Sequence, residues 1–378
     1  MPMLKRRTLI MMMIVCLFQA SGKAWAYRLG EVEGKLSAGA SEVYDDNITY
    51  TKSNKVHDFI TRPWVGISAA YNGKTTTFSA SGRYYHELYA DNSNFDNNGG
   101  DFTATVNSEL SKSDRINISD TFSRAYEPRS FEDVFGYTGG RYSSTRNRVN
   151  LGYARDISQH IGMSLRYSNE YNTYSRSDIA KSYLNTAGVE GAYIVSSDLS
   201  FIGAYDFTRR DFDPGSAATT NTLSGGVRKF FTKQVYFDGI AGADFIDSYS
   251  GRNYIKPMAA VSLTDDINDR TNAKLSFSKR FDTVSYSQDL FDQWRVSAGL
   301  SHELTQKLRG SLNAFYGRGK YIGTGVANKL IGSTVGLTYD ITDNWRADAS
   351  YSFLREDSSA ALGGYKKNTV TLGLTAEF

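Results

Sequence analysis

The sequence predicts an all-β chain, a transmembrane antiparallel β-barrel of about 18 strands, with 16 as the alternative count. Three observations predict it. Side chains alternate with period two along almost the whole chain. Tight polar turns recur at roughly 35–45-residue intervals with longer polar segments between them. An apolar alternating strand ends on the terminal Phe378.

The alternation is explicit in several places. Trp345, Ala347, Ala349, Tyr351 and Phe353 share one face, while Arg346, Asp348, Ser350 and Ser352 share the other. Ile161, Met163, Leu165 and Tyr167 alternate with Gly162, Ser164 and Arg166, and Leu308, Leu312 and Tyr316 alternate with Arg309, Ser311 and Asn313. Strict alternation over eight or more residues describes strands with one apolar and one polar face. No stretch keeps a helical period, and no shift in composition marks a second domain.

Composition agrees with this and narrows the class. A length of 378 residues would usually mean two soluble domains, and a mean hydropathy of −0.42 excludes a bundle of transmembrane helices. The 26 Tyr, 21 Phe, 34 Gly, 5 Pro and single Cys fit neither collagen, a disulfide scaffold nor disorder.

Residues 1–26 read as a secretory signal peptide: Lys5, Arg6 and Arg7, then the apolar run Thr8–Phe18, then Ala24 and Ala26 at the cleavage site. Residues 27–378 are then the barrel. Removing Lys5, Arg6, Arg7 and Lys23 leaves 39 basic against 40 acidic residues, −1 in place of +3. A neutral chain has no electrostatic basis for binding nucleic acid. The lone Cys16 lies in the targeting segment, so disulfides, thiol catalysis and cysteine metal sites are excluded.

Eight tight turns set the strand count. They fall at Asn72–Lys74, Lys112–Asp114, Ser158–His160, Ser196–Asp198, Thr232–Gln234, Asp266–Asp269, Thr305–Lys307 and Thr342–Asn344. Eight hairpins supply sixteen strands, and one strand near Val32–Val43 and one near Tyr365–Phe378 complete eighteen. Longer polar segments at Asp91–Asp101, Glu127–Tyr142, Asp213–Thr220 and Ser358–Gly364 would be the loops. Short periplasmic turns and longer extracellular loops are the habit of outer-membrane barrels. Segments Asp45–Val56 and Ser248–Tyr254 are ambiguous, which leaves sixteen open.

Aromatics mark the two membrane interfaces. Tyr71, Tyr153, Tyr193, Trp294, Tyr339 and Trp345 are expected beside the tight turns, and Tyr84, Tyr126, Tyr167, Tyr205, Tyr316 and Tyr351 near the opposite ends. The final strand places Val370, Leu372, Leu374, Ala376 and Phe378 on one face. That pattern is similar to the signal read by the outer-membrane barrel assembly machinery.

The first strands carry a family resemblance. Ser41-Glu-Val-Tyr-Asp-Asp-Asn-Ile48, then Thr51–Lys55, Asp58-Phe59-Ile60 and Pro63-Trp-Val-Gly66, resemble the opening of the putative β-barrel porin 2 family, with barrel patterning over the rest of the chain. The resemblance implies a cell outer-membrane location in a Gram-negative bacterium and passage of exopolysaccharide as part of a polysaccharide export system. It also implies partners: outer-membrane lipid, the assembly machinery, the polysaccharide itself and separate periplasmic export components. It implies no cofactor. A general diffusion or nutrient porin for small solutes is the alternative, and a barrel enzyme or adhesin is a third.

Function in such a barrel resides in the lumen. Tyr85, Arg115, Arg148, Arg166, Glu190, Asp206, Asp238, Asp244, Arg295, Arg309 and Phe315 are the candidate lumen-lining residues, because aromatic faces stack on sugar rings and charged groups hydrogen-bond hydroxyls. The plainer role for most of them is cross-strand pairing that stiffens the wall. Glu127–Tyr142, the longest loop, is the candidate constriction. His57, His86, His160 and His302 are scattered without metal-ligand spacing, and no G-x-S-x-G motif or calcium loop occurs, so no catalytic or metal site is expected.

Overall fold

The computed structural model describes residues 27–29, 31–126, 142–360 and 363–378. The expected signal peptide, with Ala24 and Ala26, lies outside the described residues, as do residues 127–141 of the longest loop.

A three-residue strand, β1 (Tyr27–Leu29), folds back on the start of β2 (Val32–Asp45). The wall continues through β3 (Asp58–Asn72), β4 (Thr76–Tyr89), β5 (Asn97–Glu109), β6 (Asp114–Ala125), β7 (Ser144–Asp156), β8 (Ile161–Tyr174), β9 (Lys181–Ser196) and β10 (Leu199–Asp213). It then runs through β11 (Ala217–Phe230), β12 (Val235–Asp247), β13 (Asn253–Asn268), β14 (Thr271–Thr283) and β15 (Leu290–Glu303). The last four are β16 (Leu308–Tyr321), β17 (Ala327–Asp340), β18 (Trp345–Ser358) and β19 (Tyr365–Glu377). Each strand pairs antiparallel with its neighbours, and β19 closes on β2 from Thr369↔Asp45 to Glu377↔Ser37. The result is a closed eighteen-stranded barrel, β2 to β19. Closure pairs every edge, the condition for carrying backbone polar groups through lipid.

The outward register is apolar and bare: Val65 is 55% exposed, Ile67 63%, Leu223 61%, Ile255 69% and Leu372 59%. A continuous coat of this kind is far beyond the isolated patches of a soluble monomer, and it marks the outer face as the lipid face.

All eight tight turns form at the expected positions. Five of them are built alike. The hydroxyls of Ser111, Ser158, Thr232, Thr305 and Thr342 each accept the backbone N–H groups two and three residues on. A short hydroxyl side chain that satisfies two turn amides is the chemical reason Ser and Thr open these turns.

Some loops are shorter than expected. Strand β5 already begins at Asn97 and β11 at Ala217, because backbone pairing with β4 and β10 continues through both polar segments. The ambiguous segments following Asp45 and Ser248 are loops, which excludes sixteen strands. Trp294 does not lie beside a tight turn. It is the fifth residue of β15, at the loop end, paired with Arg318 rather than near the Thr305 turn.

One seam is incomplete. Strands β13 and β14 pair only from Ala259↔Lys279 toward the turn, whereas β14 stays paired with β15 up to Thr283↔Leu290. Above Ala259 the β14–β15 hairpin leans away from β13 into the barrel. Phe281, on the outward register, is therefore only 6% exposed and packs on Tyr254 with Ile246 and Leu290.

Candidate functional site

The wall alternates, so one register decides what faces the lumen. All eleven candidate residues lie on the register opposite the apolar coat. Three of them come together: Arg166 donates to Glu190 (3.1 Å) and, through two nitrogens, to Asp206 (3.0 and 2.8 Å). The others take separate partners. Arg115 grips Asp156 bidentately at 2.8 Å, Arg148 pairs with Glu170, Asp238 with Arg228 and Asp244 with Thr222. Arg309 shares Asp340 with Arg346. Tyr85 donates to the Arg124 carbonyl at 3.3 Å beneath the Arg62 guanidinium.

Arg295 belongs to a different environment. With Lys274, Arg280 and the hydroxyls of Ser262, Ser276 and Ser278 it lines a crevice on the inner wall of β13–β15. The Arg228–Asp238 pair of β11 and β12 borders the same crevice.

The loop end of the lumen is filled. Val284, Phe291, Tyr321, Leu330, Tyr365, Tyr50 and Tyr142 form one buried cluster drawn from strands and loops around the mouth. Phe315 packs against it, and Phe291 is fully buried against Gly319, where a Cβ would fall 1.8 Å from its ring. Only a bare backbone lets that ring lie flat on the neighbouring strand.

The leaning hairpin tip holds this closure in place. Its Ser285 hydroxyl meets the Tyr174 hydroxyl at 2.6 Å, and its carbonyl accepts from Ser182 at 3.1 Å. Tyr286 meets Tyr321 at 2.9 Å, and Asp289 accepts the Gly323 and Thr324 amides at 2.7 and 3.0 Å. Beneath the tip, Arg210 donates to Thr283 and Ser182, both at 3.1 Å, and lies 3.7 Å from Glu170. Glu170 also accepts from Arg148 and Asn172. Three guanidinium groups, of Arg146, Arg148 and Arg210, thus surround the buried Glu170 carboxyl.

Sequence reasoning missed Glu170, Arg210 and the 284–289 segment. The first two share the parity of Arg166 and Asp206, four residues along the same strands, so alternation alone would have found them. The inward segment has no such signal. Of the expected constriction, Tyr142 is described, and it sits in the mouth cluster against Tyr174.

From β14 to the C-terminus the chain carries a recognised pattern. Residues 271–378 match the putative beta-barrel porin 2 family. The match falls at the opposite end of the chain from the Ser41–Gly66 stretch, so the last six strands rather than the first carry it. A closed barrel with a continuous apolar coat is the form in which β-strands cross an outer membrane. No curated protein matches the chain. Among solved structures, the siderophore receptor PirA from Pseudomonas aeruginosa is 9% identical, covering 91% of this chain and 80% of its own, with a TM-score of 0.43. Acinetobacter baumannii OccAB3 is 11% identical, covering 91% and 99%, with a TM-score of 0.47. Likenesses this distant carry no argument about function.

Proposed function

We propose that this barrel is a non-enzymatic outer-membrane porin that passes exopolysaccharide, received from periplasmic export components. The observation that carries the reading is the inner wall: a polar surface of hydroxyls, paired charges and half-buried aromatics such as Phe315, capped at the loop end by the β14–β15 hairpin. Hydroxyl-rich walls exchange hydrogen bonds with a hydrated sugar chain at little net cost, and aromatic faces offer stacking surface. The porin 2 match supports it. Deleting the gene and measuring surface polysaccharide is the test; export at the parental level sinks the proposal.

A second reading is a diffusion porin for small solutes. The inward-leaning 284–289 segment favours it, since an inward loop narrows a pore. Planar-bilayer conductance separates the two. Steady open conductance to small solutes, with normal polysaccharide export in the deletion strain, would establish the second.

A further inference from the structure

The outer face carries one charged feature that the lumen does not explain. At the loop ends of β16–β19, five outward side chains are basic: Arg318, Lys320, Lys329, Arg355 and Lys366, all exposed. Arg318 is the register partner of Lys329, and Arg355 of Lys366, which sets the members of each pair about 5 Å apart at Cα. Two acids lie in the patch and each is already taken: Asp357, the register partner of Lys329, by Arg355 at 3.0 Å, and Asp292, the register partner of Lys320, by Lys279 at 3.2 Å. Among the described residues no carboxylate pairs with Arg318, Lys320 or Lys329. Directly below lie Tyr316, Ile331, Val335, Tyr351 and Val370, the lipid coat.

Arg209, outward at the loop end of β10, is paired instead, with Asp211 at 2.8 Å. Like charges placed together at a membrane boundary repel one another unless an anion sits among them.

We propose that this rim docks the phosphorylated sugar headgroup of an outer-leaflet glycolipid, the bisphosphorylated disaccharide of lipopolysaccharide. The chemistry fits at three levels. Arg and Lys are the donors that phosphate monoesters take, through charge-assisted bonds. The patch stands immediately above an apolar wall that receives acyl chains. It also lies on the loop side, which faces the outer leaflet in a barrel with short periplasmic turns.

The test is lipid retention by the full-length barrel in detergent, read by native mass spectrometry after equilibration with bisphosphorylated lipid A, dephosphorylated lipid A or phosphatidylglycerol. Wild type should retain the bisphosphorylated lipid about tenfold better than either comparison lipid. The R318Q/K320Q/K329Q variant should lose that preference, and R209Q, on β10 away from the patch, should keep it. Equal retention of phosphorylated and dephosphorylated lipid overturns the proposal, as does equal retention of phosphatidylglycerol or an unaffected triple variant. Folding is checked by heat-modifiable migration. Should the triple variant fail to fold, K320Q and K329Q are measured singly, and full retention by both is the same refutation.

Discussion

Arg166 on β8 and Asp206 on β10 join across the intervening strand, directly over Gly188. Gly188 is the register partner of both residues, and a Cβ there would lie 2.1 Å from Asp206 Oδ1 and 2.8 Å from Arg166 Nε. The bridge crosses a strand only because that strand has no side chain at this position. Gly188→Val should therefore part the pair without unfolding the barrel, since the displaced atoms end flexible side chains. Arg166 is 40% exposed, so the stability loss should be about 1 kcal/mol or less, read as the urea midpoint of the folded band.

The same cluster should shape ion selectivity. E190Q/D206N removes both carboxylates that Arg166 holds and leaves its charge uncompensated in the lumen. Reversal potentials in a salt gradient should shift toward anions. Unchanged selectivity would show that this stretch of wall does not face the conduction path.

The mouth cluster should control pore opening. Phe291→Ala removes a fully buried ring and should cost about 3 kcal/mol or more of local packing. The hairpin tip should loosen, giving higher conductance with more frequent transitions in planar bilayers. Gly319→Leu, which drives a side chain into the same ring, should loosen it too. Wild-type traces from both variants would remove the tip from the gating account.

The hydroxyl turns should contribute individually. Thr232→Val, Thr305→Val and Thr342→Val each strip a side chain of its two backbone amide donors. By analogy with helix caps each should cost about 1 kcal/mol; Thr232 lies on a separate hairpin and should add, whereas the Thr305 and Thr342 turns touch through Lys307 and should couple. The urea midpoint of the triple variant against the singles checks both statements.

One turn should respond to acid. Hydrogen bonds from Lys229 and then Ser196 hold the Asp198 carboxyl below the ordinary carboxylate range. Its folded value is depressed, so its contribution is present at neutral pH and disappears only as the pH falls below about 4. Lys229→Gln should flatten that part of the stability profile and leave the neutral region nearly unchanged. A profile that still falls as steeply below pH 4 would assign the acid response to other groups.

Much of this was legible beforehand because a barrel wall is a local object. Each strand's parity, each hydroxyl-led turn and the odd–even split placing Arg115, Arg148 and Arg166 on one face follow from neighbours two or three residues away. Strand ends are less legible: backbone pairing needs no side-chain pattern, so β5 and β11 start earlier than their composition suggests. Trp294 lies near a strand end, as its surroundings suggest, but at the loop end of β15, which begins only four residues before it.

The wall's two faces and its eight tight turns are written in the amino-acid order, because period two and turn chemistry act over short range; the count of eighteen and the closure of β19 on β2 are settled by the pairing. Tertiary structure alone decided what fills the mouth and which charges meet. Val284–Asp289 finds Tyr174 and Ser182 from about a hundred residues away, and Arg166 reaches Asp206 only because Gly188 lies between them. Such meetings depend on how the wall curves and where its β13–β14 seam parts, and no short-range pattern encodes that.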